Sequence, residues 1–283
     1  MLHPSQTINC SGRLLSLKTP MVMGILNVTP DSFFDGGKYE GDAAFRQAEQ
    51  MLQAGATILD IGGQSTRPNA EIITEETEIE RVVDIIGKIK YSFPDAIISI
   101  DTFRSGVARQ AVAAGADIIN DVSGGDMDEQ MFQTVADLGV PYVLMHSTGI
   151  PAKIIQNVVC QDITLNVLDY FIEKIGRLRA HKVKDIVIDV GFGFGKKMSQ
   201  NYELLRKMHI FKILDVPILA GLSRKSMIYK TLEITPQEAL NGTSVLNLFA
   251  LQQGAKILRV HDVKEAVETI KLFTMLSDSD SLK

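Results

Sequence analysis

Ala54-Gly55-Ala56-Thr57-Ile58, Ala114-Gly115-Ala116-Asp117-Ile118 and Gln253-Gly254-Ala255-Lys256-Ile257 are near copies of one joint. Each places glycine where a helix needs a left-handed residue just past its last turn, and each then runs into an apolar segment. Leu138-Gly139-Val140-Pro141 is a looser version. Helix, glycine, buried strand, polar loop and helix again is the repeating unit of a parallel sheet.

Outward from the joints, apolar runs rich in Ile, Val and Leu recur at residues 21–26, 57–61, 96–100, 117–119, 142–145, 186–188, 218–220 and 256–260. That composition suits strands buried on both faces. Amphipathic patterns fill most gaps. Ala44, Ala48, Met51 and Leu52 share a face after Asp42, an N-cap candidate. Ile79, Val82, Val83, Ile86 and Ile89 follow Thr74, with Glu75 and Glu76 in the first turn, where a helix dipole favours acids. Val107, Ala111 and Ala114 follow Thr102. Residues 163–178 follow Asp162, and Ala266, Ile270 and Phe273 follow Asp262.

Eight strands alternating with helices in 283 residues predict a single-domain (β/α)8 TIM barrel, with a doubly wound open sheet as the runner-up. The barrel is expected over residues 21–276. Residues 1–20 form an N-terminal extension, with a small hairpin over 8–18 covering the barrel's N-terminal end, and residues 277–283 a frayed tail.

A chain 45% hydrophobic and 22% charged, with nine prolines, is neither disordered nor collagen-like. A formal charge of −5 argues against a nucleic-acid partner. No apolar run approaches the roughly 18 residues of a membrane span. The N-terminus lacks the apolar core of a signal peptide. Cys10 and Cys160 stand far apart and outside any metal-ligand spacing, so reduced thiols and a cytoplasmic location are expected.

Nearly every apolar run ends in a polar residue: Asn27, Asp60, Asp101, Asn120, His146, Asp189, Ser223 and His261. Any one could simply cap the next helix. All of them together predict convergence at the C-terminal face of a barrel, where such folds place their chemistry. Asp101, Asn120 and Asp189 would present acceptors and a donor to the edge of a planar heterocycle. Arg224, Lys225, Arg259 and His261, with Arg67, concentrate positive charge near the last strands and suggest an anion site. The loops at 27–37 and 62–68 combine Gly and Pro with exposed functional groups, including Phe33 and Phe34, and read as active-site lids. Gly191-Phe192-Gly193-Phe194-Gly195-Lys196 lacks Walker spacing and reads as a turn that approaches a flat substrate.

Gly24-Ile25-Leu26-Asn27-Val28-Thr29-Pro30-Asp31-Ser32-Phe33 and Gly62-Gly63-Gln64-Ser65-Thr66-Arg67-Pro68 resemble the two signatures of the dihydropteroate synthase family. Asp101-Thr102, Ile119-Asn120-Asp121, Leu144-Met145-His146, residues 191–196, Ser223-Arg224-Lys225-Ser226 and Arg259-Val260-His261-Asp262-Val263 follow in the family's order. The resemblance spans about residues 8 to 275.

The resemblance implies a folate-pathway transferase that joins 6-hydroxymethyl-7,8-dihydropterin diphosphate to 4-aminobenzoate and releases diphosphate. It implies Mg2+ as cofactor, a homodimer and competition by sulfonamides. Carried over by position, Asp101, Asn120, Asp189, Lys225 and Arg259 would hold the pterin. Asn27, Thr66, Arg67, Arg259 and His261 would hold the diphosphate, with Asn27 on the metal. Phe33, Pro68, Phe192 and Ser226 would enclose aminobenzoate. Asp101 or Asp35 would stabilise a cationic methylene formed by dissociative displacement, with Lys225, Arg259 and His261 beside it in the catalytic set.

Gln64 stands where the family usually has Glu, Val190 where it has Pro, and Phe103-Arg104 where Ser or Thr and Lys are common. A pterin-binding methyltransferase barrel would share the Asp/Asn/Asp set but should lack both signature loops. A non-catalytic pterin- or phosphate-binding barrel should have lost Lys225, Arg259 or Asn27, and all are present.

Overall fold

The computed structural model describes residues 7–28, 40–64, 72–150, 153–154 and 162–277. Two short strands, β1 (Thr7–Cys10) and β2 (Arg13–Ser16), pair antiparallel across Ser11 and Gly12. The chain then alternates β3 (Met21–Asn27), α1 (Glu40–Gln53), β4 (Ile58–Gly62), α2 (Glu75–Ser92), β5 (Ile97–Asp101), α3 (Ser105–Ala113), β6 (Ile118–Asp121), α4 (Met131–Leu138) and β7 (Tyr142–Met145). A small antiparallel pair, β8 (Gly149–Ile150) and β9 (Lys153–Ile154), interrupts the rhythm. It resumes with α5 (Ile163–Ala180), β10 (Ile186–Asp189), α6 (Met198–Arg206), β11 (Ile218–Ala220), α7 (Ser226–Leu232), α8 (Leu240–Gln253), β12 (Ala255–Val260) and α9 (Val263–Ser277). The eight long-range strands close in the order β10-β11-β12-β3-β4-β5-β6-β7, every pairing parallel. This is the expected (β/α)8 barrel.

The joint glycines behave as the sequence predicts. Gly55, Gly115 and Gly254 have φ of +99°, +117° and +108°, which a side chain would strain. Thr74 caps α2 by accepting from the Thr77 amide, and Asp162 caps α5 by accepting from the Thr164 and Leu165 amides. Two other residues at expected helix starts behave differently. Asp42 lies inside α1, which starts at Glu40. Asp262 turns its carboxylate to Arg224. The start of α3 takes its cap from across the fold, where the Ser105 amide donates to Asp128 at 2.7 Å.

Strand alternation sorts the core into two. Outward residues such as Leu59, Ile61, Ile98, Ile100, Leu144 and Leu258 pack against the helices. Inward residues Met23, Ile58, Ile97, Ile118, Val143, Val187, Leu219 and Ile257 fill the barrel's lower interior, and Ile8, Cys10 and Leu17 plug them from below. The hairpin therefore contributes core. Burial pushes the Cys10 thiol up to about 12, so it stays protonated. Ile8→Ala is expected to cost about 2–5 kcal/mol, from lost transfer energy and the cavity left behind. Urea denaturation of the variant reads this, and an unaltered midpoint would exclude the hairpin from the cooperative core. Among the described residues no helix is long and apolar enough to cross a membrane.

Candidate active site

The inward positions change character up the barrel. Two residues beyond the apolar layer lie Asp60, Ser99, Asn120, Asp189 and Arg259. Two further lie Asn27, Gly62, Asp101 and His261. The register places Asn27 beside Gly62, Gly62 beside Asp101, and Asp101 beside Asn120. A Cβ on Gly62 would stand 3.5 Å from the Asp101 Cβ and 3.8 Å from Asn27 Oδ1, so these two side chains flank a gap that glycine leaves open.

A charged network joins four strands. Arg259 donates from Nε to Asp60 Oδ2 and from Nη2 to Asp101 Oδ2, both at 2.6 Å. Asn120 Nδ2 donates to the same Asp60 oxygen at 3.0 Å. Asp60 is 1% exposed, and its other oxygen, Oδ1, has no hydrogen-bond partner among the described residues. Asp189 accepts from the Gly191 amide at 2.8 Å. Lys225 stands at the residue before α7, with its ammonium 4.3 Å from the centre of the Phe194 ring. Ser226 is the first residue of that helix.

Burial sets the protonation of these groups. It pushes Asp101 up to about 7, against the pull of Arg259, and also raises Asp189. It lowers Lys225 to about 8, and the positive charge of Arg259 adds to that. Burial disfavours charge on Arg259 too, but Asp60 and Asp101 hold its pKa above the ordinary arginine range. Burial, with Arg259 and Arg224 nearby, lowers His261 to about 4. His261 is thus neutral at pH 7, with Nδ1 3.0 Å from Ser223 Oγ. The arrangement offers two carboxylates and an amide to N–H groups of a flat ligand, beside a fixed guanidinium and a lysine for negative charge.

Several residues stand elsewhere than the sequence suggests. Phe192, expected to enclose aminobenzoate, is 1% exposed and belongs to the core between barrel and helices. Phe194 is the aromatic at the mouth, packed with Phe103, Val122 and Met145. Arg224 is paired with Asp262 at 2.6 Å and is not a free base for an anion. His146 is buried edge-on to the Tyr170 ring, 4.9 Å between centres. Phe33, Asp35, Thr66, Arg67 and Pro68, and both expected lids apart from residues 27–28 and 62–64, lie outside the described residues. Asp60 was legible only as one polar residue among several, yet it is the anchor shared by Arg259 and Asn120.

The departures from the family pattern find partners. Gln64 Oε1 accepts from the Ile73 amide at 2.9 Å. Arg104 pairs with buried Glu78 and donates to the Ile73 carbonyl. Val190 is buried core.

The profile of the family described as "Pterin binding enzyme" matches residues 23–261. The chain is 42% identical to dihydropteroate synthase of Escherichia coli K12 over 264 residues, covering 92% of this chain and 93% of that one. It is 40% identical to the Bacillus subtilis dihydropteroate synthase over 273 residues, 96% and 94% of the two chains. Among solved structures, Xanthomonas albilineans dihydropteroate synthase with 4-aminobenzoic acid matches with a TM-score of 0.90 at 39% identity, over 96% and 98% of the two chains. The Yersinia pestis enzyme in complex with a sulfonamide drug matches with a TM-score of 0.90 at 38% identity, over 96% and 99%. A pterin-binding profile across the barrel, relatives near 40% identity over almost the whole chain, and a mouth built from Asp101, Asn120, Asp189, Lys225 and Arg259 agree: this chain belongs to the pterin-binding enzyme family and, within it, to the dihydropteroate synthases.

Proposed function

We propose that the site joins 6-hydroxymethyl-7,8-dihydropterin diphosphate to 4-aminobenzoate by a dissociative displacement. The carrying observation is the Asp60–Arg259–Asp101 network with Asn120 and Asp189 beside it. Asp189 and Asn120 receive and offer hydrogen bonds along the amino edge of the pterin. Lys225 approaches its carbonyl side, and Arg259 lies against its ring. Rupture of the C–O bond sends its electron pair to the diphosphate and leaves a cationic methylene. Asp101, once ionised, stabilises that cation. The neutral arylamine then forms the C–N bond and loses its proton, so no strong base is required. His261 serves the diphosphate as a neutral hydrogen-bonding group.

Phe194 takes the place first given to Phe192 as a wall for aminobenzoate, with Ser226. Phe33, Asp35, Thr66, Arg67 and Pro68 keep the roles that the family resemblance implies.

Asn27 fits Mg2+ as a donor: its amide oxygen is a hard ligand beside the Gly62 gap, and Mg2+ is commonly held by few protein oxygens plus phosphate and water. When bound, the ion would neutralise charge on the departing diphosphate. We further propose a homodimer and a reducing, cytoplasmic setting, the latter in keeping with free, buried Cys10.

The test mixes purified protein, pterin diphosphate and 4-aminobenzoate, and follows dihydropteroate and diphosphate. Release in a 1:1 ratio, abolished by EDTA and restored by Mg2+, is expected. Calorimetry should detect aminobenzoate only after pterin and Mg-diphosphate are bound, and a sulfonamide should displace it. Tight binding of aminobenzoate to the free protein would contradict this order. Sedimentation checks the dimer.

A further inference from the structure

Lys196 is buried, and none of its acceptors is a carboxylate. Its ammonium donates to three backbone carbonyls: Gly191 at 2.8 Å, His146 at 3.0 Å and Phe194 at 3.2 Å. An ammonium has three N–H groups, and all three are used. His146 follows β7 and Gly191 follows β10, neighbouring strands whose last bond runs from the His146 amide to the Asp189 carbonyl. Lys196 therefore fastens these two strand ends just above the point where their ladder stops.

The segment it fastens has one backbone hydrogen bond of its own, from the Phe194 amide to the Gly191 carbonyl at 3.1 Å, and is otherwise pliable. Gly191, Gly193 and Gly195 all have positive φ, of +67°, +83° and +74°. A run of such glycines is the most freely rotating backbone available. A Cβ on Gly191 would meet the His146 carbonyl oxygen at 2.0 Å, so close approach requires glycine there. Asn201 adds further side-chain ties. Its Oδ1 accepts from the Gly193 amide, and its Nδ2 donates to the carbonyls of Lys196 and Lys197.

Two site residues depend on this turn. The Gly191 amide holds the Asp189 carboxylate at 2.8 Å. The Phe194 ring lies under the Lys225 ammonium, and Gly193 would place a Cβ only 3.5 Å from Lys225 Cδ.

We infer that Lys196 is a positioning residue: its three-carbonyl cage fixes the 191–195 turn, and the turn orients Asp189 and Lys225 for the pterin. The inference rests on the reading that Asp189 and Lys225 contact pterin. Lys196 acts through these residues, since its own N–H groups are taken by backbone carbonyls.

The probe is 6-hydroxymethylpterin, whose fluorescence reports binding without turnover, applied to the full chain. Lys196→Met keeps the apolar stem and removes all three donors. It should fold, judged by circular dichroism, and bind the probe at least tenfold more weakly than the parent. Lys196→Ala should bind as weakly and recover at least severalfold with methylammonium, which can donate to the cage. Tetramethylammonium, which has no N–H, should not rescue it. Parent-like affinity in Lys196→Met, or equal rescue by both cations, would overturn the inference. So would failure of both variants to fold, since the lysine would then serve the fold alone. If the parent does not bind the probe, the pterin reading fails instead.

Discussion

Asp101→Asn should lower kcat/KM for the pterin diphosphate by about two orders of magnitude or more. Asp101 Oδ2 already accepts from Arg259. Its other oxygen is what remains for a pterin N–H. An amide has one acceptor oxygen: if that oxygen serves Arg259, its NH2 group meets the substrate's own donor. A lost charged hydrogen bond is worth about 1.5–3 kcal/mol, and a bare buried donor adds to that. The pH dependence follows from the raised Asp101 carboxyl. In the parent, kcat/KM should fall as pH drops below about 7, because Asp101 takes up a proton and would lose the charge proposed to stabilise the methylene cation. That acid limb should vanish in Asp101→Asn. The same shift acts on stability with the opposite sign from that of an aspartate whose pKa is lowered on folding, because burial outweighs the Arg259 ion pair here. Between its ordinary 3.8 and about 7 the native state binds more protons than the unfolded chain, so this contribution weakens as pH rises through that window. Near-normal turnover, or an unchanged acid limb, would take Asp101 out of the chemistry.

Asp60→Ala should be the most damaging single change to the fold. It removes the acceptor that Arg259 Nε and Asn120 Nδ2 share, inside the barrel and out of reach of water. Breaking a buried ion pair from one side costs about 3–5 kcal/mol, because the remaining charge stays buried. Arg259 would retain only Asp101, which would then be drawn from substrate to structure. We expect a lowered urea midpoint together with weakened pterin binding. Asp60→Asn, which keeps one acceptor oxygen, should lie between the two. Wild-type stability in Asp60→Ala would show that Arg259 finds another partner and that Asp60 is no anchor.

The barrel was legible because its signals are local and repeated. A glycine at four of the joints, an Ile/Val-rich run after it and a polar residue beyond are read from consecutive positions. The misreadings come from features that are not local. Asp60 lies mid-strand, and only the closed barrel brings it under Arg259, 199 residues away. Phe192 and Phe194 look alike in sequence. Their choice of side is set by left-handed glycines, which break the two-residue alternation. Arg224 has φ +56° and a bidentate bond to Asp262 across 38 residues. α8 buries Thr243 and Asn247 along with Ala250 and Leu251, so its inner face does not read as apolar. The caps that held, Thr74 and Asp162, bond within three residues. The cap of α3 comes from Asp128, 23 residues on.

The β1–β2 hairpin also governs traffic. With Ile8, Cys10 and Leu17 packed against the lower strands, that end of the barrel is stoppered, and access falls to the opposite end. On the proposed assignment, a pterin on Asp189 and Asn120 would lie behind an aminobenzoate at Phe194 and Ser226. The inner guest would then arrive first, and would depart only when the outer one had moved or been joined to it. Coupling the two molecules would turn a queue into a single passenger, and the finished product would leave with its aminobenzoate end leading.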